Sequence, residues 1–453
     1  MPSRPITATT VPLILTKNQS TTNSISFYQT SYFPTKPSSP NSIRTQTINK
    51  NFIPPPLPPS LPPPMDSSPF NLLPQDTLHQ IFSHLSLRQI ATCKCVCKAL
   101  SAALSSPAFL HLISDQSLPA SLSLLALKPF NGHHLSADSA LDAFDLSKNQ
   151  WLRFSLSFLP FSSLHPITAS YGLLYLWASP PPLLEPNNAH VPNSQMALVV
   201  CNPLTRQFKI LPQLGSAWSL HGSVLAGSTN VVLVLTELAI LYYCEGNNIG
   251  NNDMNISVVN NSWLKFSSNL PSKPRSPILV SDFILTLCDV GTPWRSQWAM
   301  FKMKISDMEK TQQWDRVQKR EWGDVFDILK RPRLVKAGNE KKVYMVGGLK
   351  NSQALQSLCT TVLILKLDLE SMQWEEAGRM PMEMYKCFLE STKFKVFGGG
   401  NRICFSAKKL ERLALWEENE EGKPEWQWIE GVAKDDDGLC RGFMFDARLD
   451  AVV

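Results

Sequence analysis

Residues 363–381 read LILKLDLESMQWEEAGRMP. A short apolar run closes on Asp368, the turn formers Glu370 and Ser371 follow, and Trp374 opens a second extended run. An apolar run bounded by turn residues, then an aromatic restart, is the pattern of strand, turn and strand. Five other stretches repeat it: AFDLSKNQW ending at Trp151, VVCNPLTRQF at Phe208, ISVVNNSW at Trp263, MKISDMEKTQQW at Trp314 and EENEEGKPEWQW at Trp428. The aromatic recurs at intervals of 57, 55, 51, 60 and 54 residues. Each unit has room for four short strands, so residues 120–453 are expected to form a six-bladed β-propeller. A large flat ring at the start of each outer strand would fill the wedge between neighbouring blades. A sandwich of stacked hairpins would have no need of the same anchor six times.

Working outward, VYMVGGLKN precedes the fifth unit and KVFGGGNRICF opens the sixth. Gly347-Gly348, Asp368, Trp374 and Met380-Pro381 together resemble a kelch repeat, with Gly398-Gly399-Gly400 in the matching place of the next unit. Such glycines are expected to permit close backbone approach and positive φ. CNPLTRQFKILP, residues 201–212, is similar instead to the F-box-associated form of the propeller. The first unit is short of strands, and the closing stretch GFMFDARLDAVV is strand-like. It is expected to pair into the first blade, closing the ring and removing two exposed edges.

Upstream lies LLPQDTLHQIFSHLSLRQIATCKCVCKALSAALSSPAFLHL, Leu72 to Leu112. Leu78, Ile81, Phe82 and Leu85 fall on one helical face, with Pro74 and Asp76 suited to its first turn. Ser86 can cap a second helix carrying Leu87 and Ile90. Cys93, Val96, Cys97, Leu100 and Leu104 predict a third, stopped by Pro107. Three helices in about forty residues bury little surface on their own. They are therefore either a lid on the body or a docking module that completes its core on another protein. Leu73-Pro74, Leu78, Ile81, Leu85, Val96-Cys97-Lys98, Ser105-Ser106-Pro107 and Phe109 resemble the F-box, over residues 70–113. The resemblance implies docking onto the Skp-type adaptor of a cullin–RING ubiquitin ligase through Leu73, Pro74, Leu78, Ile81, Leu85, Val96, Cys97 and Lys98. Because the body has its own anchors and closes on itself, the spare apolar face of the helices is expected to belong to that partner.

The chain therefore reads as mainly β, a six-bladed propeller preceded by a small three-helix F-box and a disordered extension over residues 1–66. The extension is rich in Ser, Thr and Pro, and residues 54–64 hold eight prolines, a polyproline II spacer. An organellar transit peptide is the disfavoured alternative; the expected address is nucleus or cytoplasm. Residues 1–64 carry five basic and no acidic residues, which leaves 38 against 37 in the remainder. That balance does not call for nucleic acid. The densest basic run, Lys302–Lys342, reads as mixed solvated loops. The apolar run Val231–Cys244 contains Glu237 and is too short for a membrane span.

Chemistry is sparse. Ten cysteines without framework spacing read as reduced thiols. Cys93, Cys95 and Cys97 point in different directions on a helix and cannot complete a metal site. The eight histidines, His133-His134 among them, end at His221, so the last four blades supply none to a channel site. The acidic run Asp435–Asp437 reads as an exposed turn, and no cofactor is expected. What remains is binding. The expected role is substrate receptor of an SCF ligase, with a non-ligase scaffold and a propeller enzyme as alternatives. The GTPWRSQW segment offers Trp294, Arg295 and Trp298 as a target-binding loop.

Overall fold

The computed structural model describes residues 73–114, 121–128, 140–179, 196–214, 218, 221–227, 231–244, 262–323, 325–338, 340–350, 359–389, 394–408, 410–432 and 439–453. The N-terminal extension 1–66, the His133-His134 pair and the run Asp435–Asp437 lie outside the described residues.

The strands alternate in direction and gather into six four-stranded antiparallel sheets. Blade one contains β1 (Ser121–Lys128), β2 (Ala140–Asp145) and β3 (Gln150–Ser155). Blade two is β4 (Ser163–Ser170), β5 (Leu173–Ser179), β6 (Ala197–Asn202) and β7 (Gln207–Ile210). Blade three is β8 (Ser223–Ala226), β9 (Val231–Leu235), β10 (Ala239–Cys244) and β11 (Leu264–Ser267). Blade four is β12 (Arg275–Val280), β13 (Phe283–Asp289), β14 (Trp298–Lys304) and β15 (Asp315–Val317). Blade five is β16 (Leu329–Lys336), β17 (Lys342–Lys350), β18 (Cys359–Asp368) and β19 (Gln373–Arg379). Blade six is β20 (Phe394–Gly399), β21 (Arg402–Ala407), β22 (Leu413–Glu418) and β23 (Pro424–Ile429). The last strand, β24 (Arg441–Arg448), returns to blade one and pairs along the whole of β1, from Ser121↔Arg448 to Lys128↔Arg441. It supplies that blade's innermost strand, and the ring of inner strands runs β24, β4, β8, β12, β16, β20 and back to β24.

Buried apolar residues collect in six clusters, one in each wedge between consecutive blades. In β17, Tyr344 and Val346 turn toward blade six while Val343 and Met345 turn toward blade four. A strand buried on both faces reads as a continuous apolar run, which is why the alternation in these units is blurred.

The recurring Asp or Asn caps the turn into the outer strand. Asp145 Oδ1 accepts from the backbone N–H groups of Ser147 and Lys148, and Asp368 Oδ1 accepts from those of Glu370 and Ser371. Four residues further on, Asn149, Arg206 and Met372 each take positive φ, at 51°, 62° and 58°. The aromatics then bridge blades, in part by a means that packing arguments do not predict. Trp151 Nε1 donates to the Glu430 carbonyl of blade six at 2.9 Å, and Trp263 Nε1 donates to the Pro212 carbonyl after blade two at 2.8 Å. Trp314 Nε1 donates in the same way to the Ser268 carbonyl after blade three. Trp428 stacks on Phe388 of α5 (Met382–Leu389), and Trp374 packs edge-on against Trp322. Phe208, which has no N–H, leans on Phe158 and Phe161 and stays partly exposed.

The expectation of positive φ at the double glycine needs correction. Gly347 and Gly348 are ordinary strand residues, and φ is positive only at Gly398 and Gly400 of the triplet. Close approach is the reason for the pair: a Cβ on Gly348 would lie 2.5 Å from Cys359 Sγ.

Four helices precede the ring: α1 (Gln75–Ser83), α2 (Leu87–Val96), α3 (Lys98–Ala103) and α4 (Pro107–Ser114). Ser86 and Gln89 form a full capping box at the start of α2. The continuous third helix expected from Cys93 to Leu104 is two helices. Cys97 is extended, at φ −154° and ψ 162°, and its Sγ accepts from the Leu100 N–H to start α3 afresh. Pro107 opens α4 as well as ending what precedes it, since its missing N–H costs nothing in a first turn.

Candidate interaction surfaces

The helices pack as a lid on the ring and keep part of their apolar surface outward. Phe82, Leu87, Ile90, Leu104, Phe109 and Ile113 are buried, and they join one apolar cluster with Leu124, Leu141, Leu156 and Leu174 of blades one and two. The body therefore does receive the helices on its surface, contrary to the expectation that a self-closing ring leaves them free. His79 is 4% exposed and sits 3.2 Å from Ser106 Oγ with its ring against Phe109, tying α1 to α4.

Charge fastens the same junction. Arg88 of α2 pairs with Asp145, which is fully buried in the β2–β3 turn. Burial pushes the Asp145 carboxyl upward, but hydrogen bonds from Ser147 and Arg88 outweigh it and hold the group below the usual carboxylate range. Sequence reasoning missed both His79 and Arg88. A histidine on an apolar helix and an arginine on an amphipathic one carry no local mark of a contact 57 residues away.

The eight residues singled out in the helical stretch divide accordingly. Leu78 and Leu85 are half-buried against the shared core. Leu73, Ile81 and Val96 remain 40%, 50% and 69% exposed, and Pro74, Cys97 and Lys98 are exposed as well. Val96-Cys97-Lys98 marks the break between α2 and α3. Three exposed aliphatic side chains on one small module, whose other apolar residues are already used, are what a partner surface requires. Cys95 and Cys97 are exposed thiols and Cys93 is raised by burial. Among the described residues no group of His, Cys, Asp and Glu side chains is placed to hold a metal ion.

Strand direction places a second surface. In every blade the turn from third to fourth strand, and in blades two to six the turn from first to second as well, lies at one end of the ring. The turn from second to third strand and the crossing to the next blade lie at the other. Arg88 meets the third-to-fourth turn of blade one, and buried Leu204 brings the same turn of blade two into the shared core. The helices thus sit at the first end, the near face. The GTPWRSQW hairpin joins the second and third strands of blade four, so it belongs to the far face.

That hairpin is preorganised. Asp289 Oδ1 accepts from the Gly291 and Gln297 N–H groups, each at 3.0 Å, and Thr292 and Arg295 exchange backbone hydrogen bonds across the tip. Trp294 stands at the apex, 96% exposed, with Arg295 exposed beside it. Trp298 does not share this exposure. It starts β14, is half-buried, and carries the Arg275 guanidinium 4.9 Å above its ring, so it is blade packing. Between Trp298 and the connection to blade five lies a cavity of about 380 Å³ lined by Arg316, Lys319, Trp322 and Phe326.

A helical adaptor-type module seated on the near face of a closed six-bladed propeller defines an F-box-like protein, and residues 70–113 match the F-box-like family. Most of the chain has a close relative. It is 52% identical over 396 residues to SKP1-interacting partner 15 from Arabidopsis thaliana, covering 85% of this chain and 99% of that protein, and it belongs to the same family. Solved structures of similar shape include TolB from Acinetobacter baumannii (10% identity, TM-score 0.43, 76% of this chain and 73% of that one). A chain of a nidogen/laminin complex is also similar (7% identity, TM-score 0.41, 72% and 99%). At these scores neither likeness bears on function.

Proposed function

We propose that this chain is the substrate-recognition subunit of an SCF-type ubiquitin ligase. Its helical module would dock a Skp-type adaptor through Leu73, Pro74, Leu78, Ile81, Leu85, Val96, Cys97 and Lys98, and through that adaptor join cullin and RING subunits. The propeller would hold a target protein, with Trp294 and Arg295 in the contact. On this reading the chain is an adaptor without an active site. Its contribution is proximity, raising the effective concentration of target lysines beside chemistry carried by other subunits. Blades five and six would be kelch repeats, and the earlier blades degenerate forms of them.

One observation supports this most: the module's apolar residues divide between the ring and solvent. Most are buried or half-buried against blades one and two, while Leu73, Ile81 and Val96 stay in water. A fully buried aliphatic side chain stabilises by roughly 1.5–3 kcal/mol, so leaving three outside is wasteful unless a partner covers them. The name of the Arabidopsis relative agrees with a Skp-type partner.

Adaptor pull-down tests the docking. Leu73→Ala with Pro74→Ala, or Ile81→Ala with Val96→Ala, is expected to weaken capture about tenfold or more without lowering the melting temperature. Retained capture by both pairs would refute it. In the same complex, Trp294→Ala should reduce target capture while adaptor binding is unchanged. Copurifying cullin without turnover of any captured protein would favour a scaffold instead.

A further inference from the structure

Three neighbouring inner strands end at the near face: β4 at Ser170, β8 at Ala226 and β24 at Arg448. Between their ends lies an open cavity of about 330 Å³, lined by Tyr171, Leu173, Tyr175, Gly227, Arg448 and Asp450 among others. That volume falls within the range of small-molecule sites, about 300–1,000 Å³.

The walls are held in place. Asn202 is fully buried and donates from Nδ2 to the carbonyls of Arg448 at 3.0 Å and Ala451 at 2.9 Å, while its Oδ1 accepts from the Leu204 N–H. Gly172 takes a φ of 84° in the β4–β5 turn, where a Cβ would lie 2.7 Å from that of Ala451. The segment after β24 is thereby pressed against the turn of blade two. Tyr171, beside the glycine, takes a φ of 48°, which costs a bulky side chain energy, and its ring stays 47% exposed at the rim.

Two properties decide what fits. The first is the Tyr175 hydroxyl. Tyr175 is 3% exposed and lines the cavity, and among the described residues its hydroxyl has no hydrogen-bond partner. Burial pushes this phenol up to about 12, so it keeps its proton at neutral pH and is a donor. A buried donor without a protein partner marks a place where an acceptor from outside is favoured. The second is charge. Arg448 Nε donates to Asp450 Oδ1 at 3.0 Å and Nη2 donates to Oδ2, so the two charges in the lining cancel. An ion would give up its hydration on entering and meet no net opposite charge. An uncharged molecule loses little, and Leu173, Ala451 and Val452 offer it apolar wall.

We propose that this near-face cavity binds a small uncharged molecule with an apolar body and a carbonyl or ether oxygen, the oxygen accepting from the Tyr175 hydroxyl and the body lying against Leu173, Tyr171 and Val452. The site goes beyond the receptor reading and does not depend on it. It lies at the opposite end of the channel from the Trp294 hairpin, and none of the eight residues assigned to the adaptor lines it.

The test uses the full chain and three fluorinated probes of matched size. para-Fluoroacetophenone has the carbonyl, para-fluoroethylbenzene lacks it, and para-fluorobenzoate carries a charge. Fluorine line broadening should saturate for the acetophenone with a Kd of about 1 mM or tighter, as good contact gives a ligand of this size. The other two should bind about fivefold more weakly or worse. Tyr175→Phe keeps the ring and its packing and removes the donor. It should weaken the acetophenone about fivefold or more while the ethylbenzene stays within about twofold. It should not lower the melting temperature, because no bond within the protein is lost. Tyr171→Gly relieves the positive φ, takes away the rim ring and should weaken both neutral probes. Trp294→Ala, on the far face, should change none of them.

Equal binding of the ethylbenzene or the benzoate, full acetophenone binding by Tyr175→Phe, an equal loss in Trp294→Ala, or no saturable broadening at several millimolar would each overturn the site. A lower melting temperature for Tyr175→Phe would also count against it, since the hydroxyl would then have a partner in the protein. Adaptor capture, read separately, should be the same in the parent and Tyr175→Phe. Saturable acetophenone binding by a chain that captures no adaptor would uphold the cavity and sink the receptor reading.

Discussion

Arg88 joins the two parts of the molecule, and its physics is that of a half-buried ion pair. Its side chain is 29% exposed and its partner Asp145 is fully buried, so removing the arginine leaves a carboxylate with only the Ser147 and Lys148 turn bonds. Arg88→Ala should therefore destabilise the helix–propeller junction by about 1–3 kcal/mol. Amide exchange over residues 87–96 should accelerate while the distant β17 and β18 stay protected. Uniform exchange in both regions would contradict a local junction. The folded Asp145 carboxyl is lowered, so its contribution is present above the unfolded value of about 3.9 and is lost as pH falls through the folded value. The junction should then hold at pH 5 and loosen only under stronger acid. None of this was legible in the sequence, where Asp145 is one of several turn formers. The aromatic spacing was legible, because wedge-filling demands a large ring at every blade. The indole N–H bonds across blades were not, since nothing local distinguishes a bridging Trp from one that only packs.

At the scale of elements, β24 carries the greatest consequence. Phe443, Phe445 and Ala447 are buried and β24 contacts the inner strands on both sides. Each buried Phe stabilises by roughly 1.5–3 kcal/mol, and the loss also exposes the edge of β1 and strips packing from β4 and β20. Typical domains have only about 5–15 kcal/mol in hand. Truncation from Gly442 onward should therefore abolish the cooperative melting transition or lower its midpoint by more than about 10 °C. Melting like the full-length chain would mean the ring does not depend on this closure. The strand was readable in advance because its alternation is plain and the first blade lacked a partner. The break at Cys97 was not. Helical spacing continues through it, and only packing against the blades decides where one helix stops and another begins.

Across the whole molecule, the receptor reading assigns the adaptor to the helices on the near face and the target to the hairpin on the far face. The helices and blades one and two share one apolar core, which on that reading would make the propeller a fixed spacer between adaptor and target. If the receptor reading holds, that rigidity should matter for turnover and not for binding. Replacing residues 115–120 by a twelve-residue Gly/Ser linker, together with Arg88→Ala, would free the ring to wander by roughly 20 Å. Adaptor capture and target capture, measured separately, should each stay within about twofold, because neither surface is touched. Ubiquitylation of the captured target should fall roughly three- to tenfold, as effective concentration drops with the volume explored. Unchanged turnover with both captures intact would show that the seat of the helices on blades one and two serves stability alone, and that the target reaches the ligase by its own flexibility.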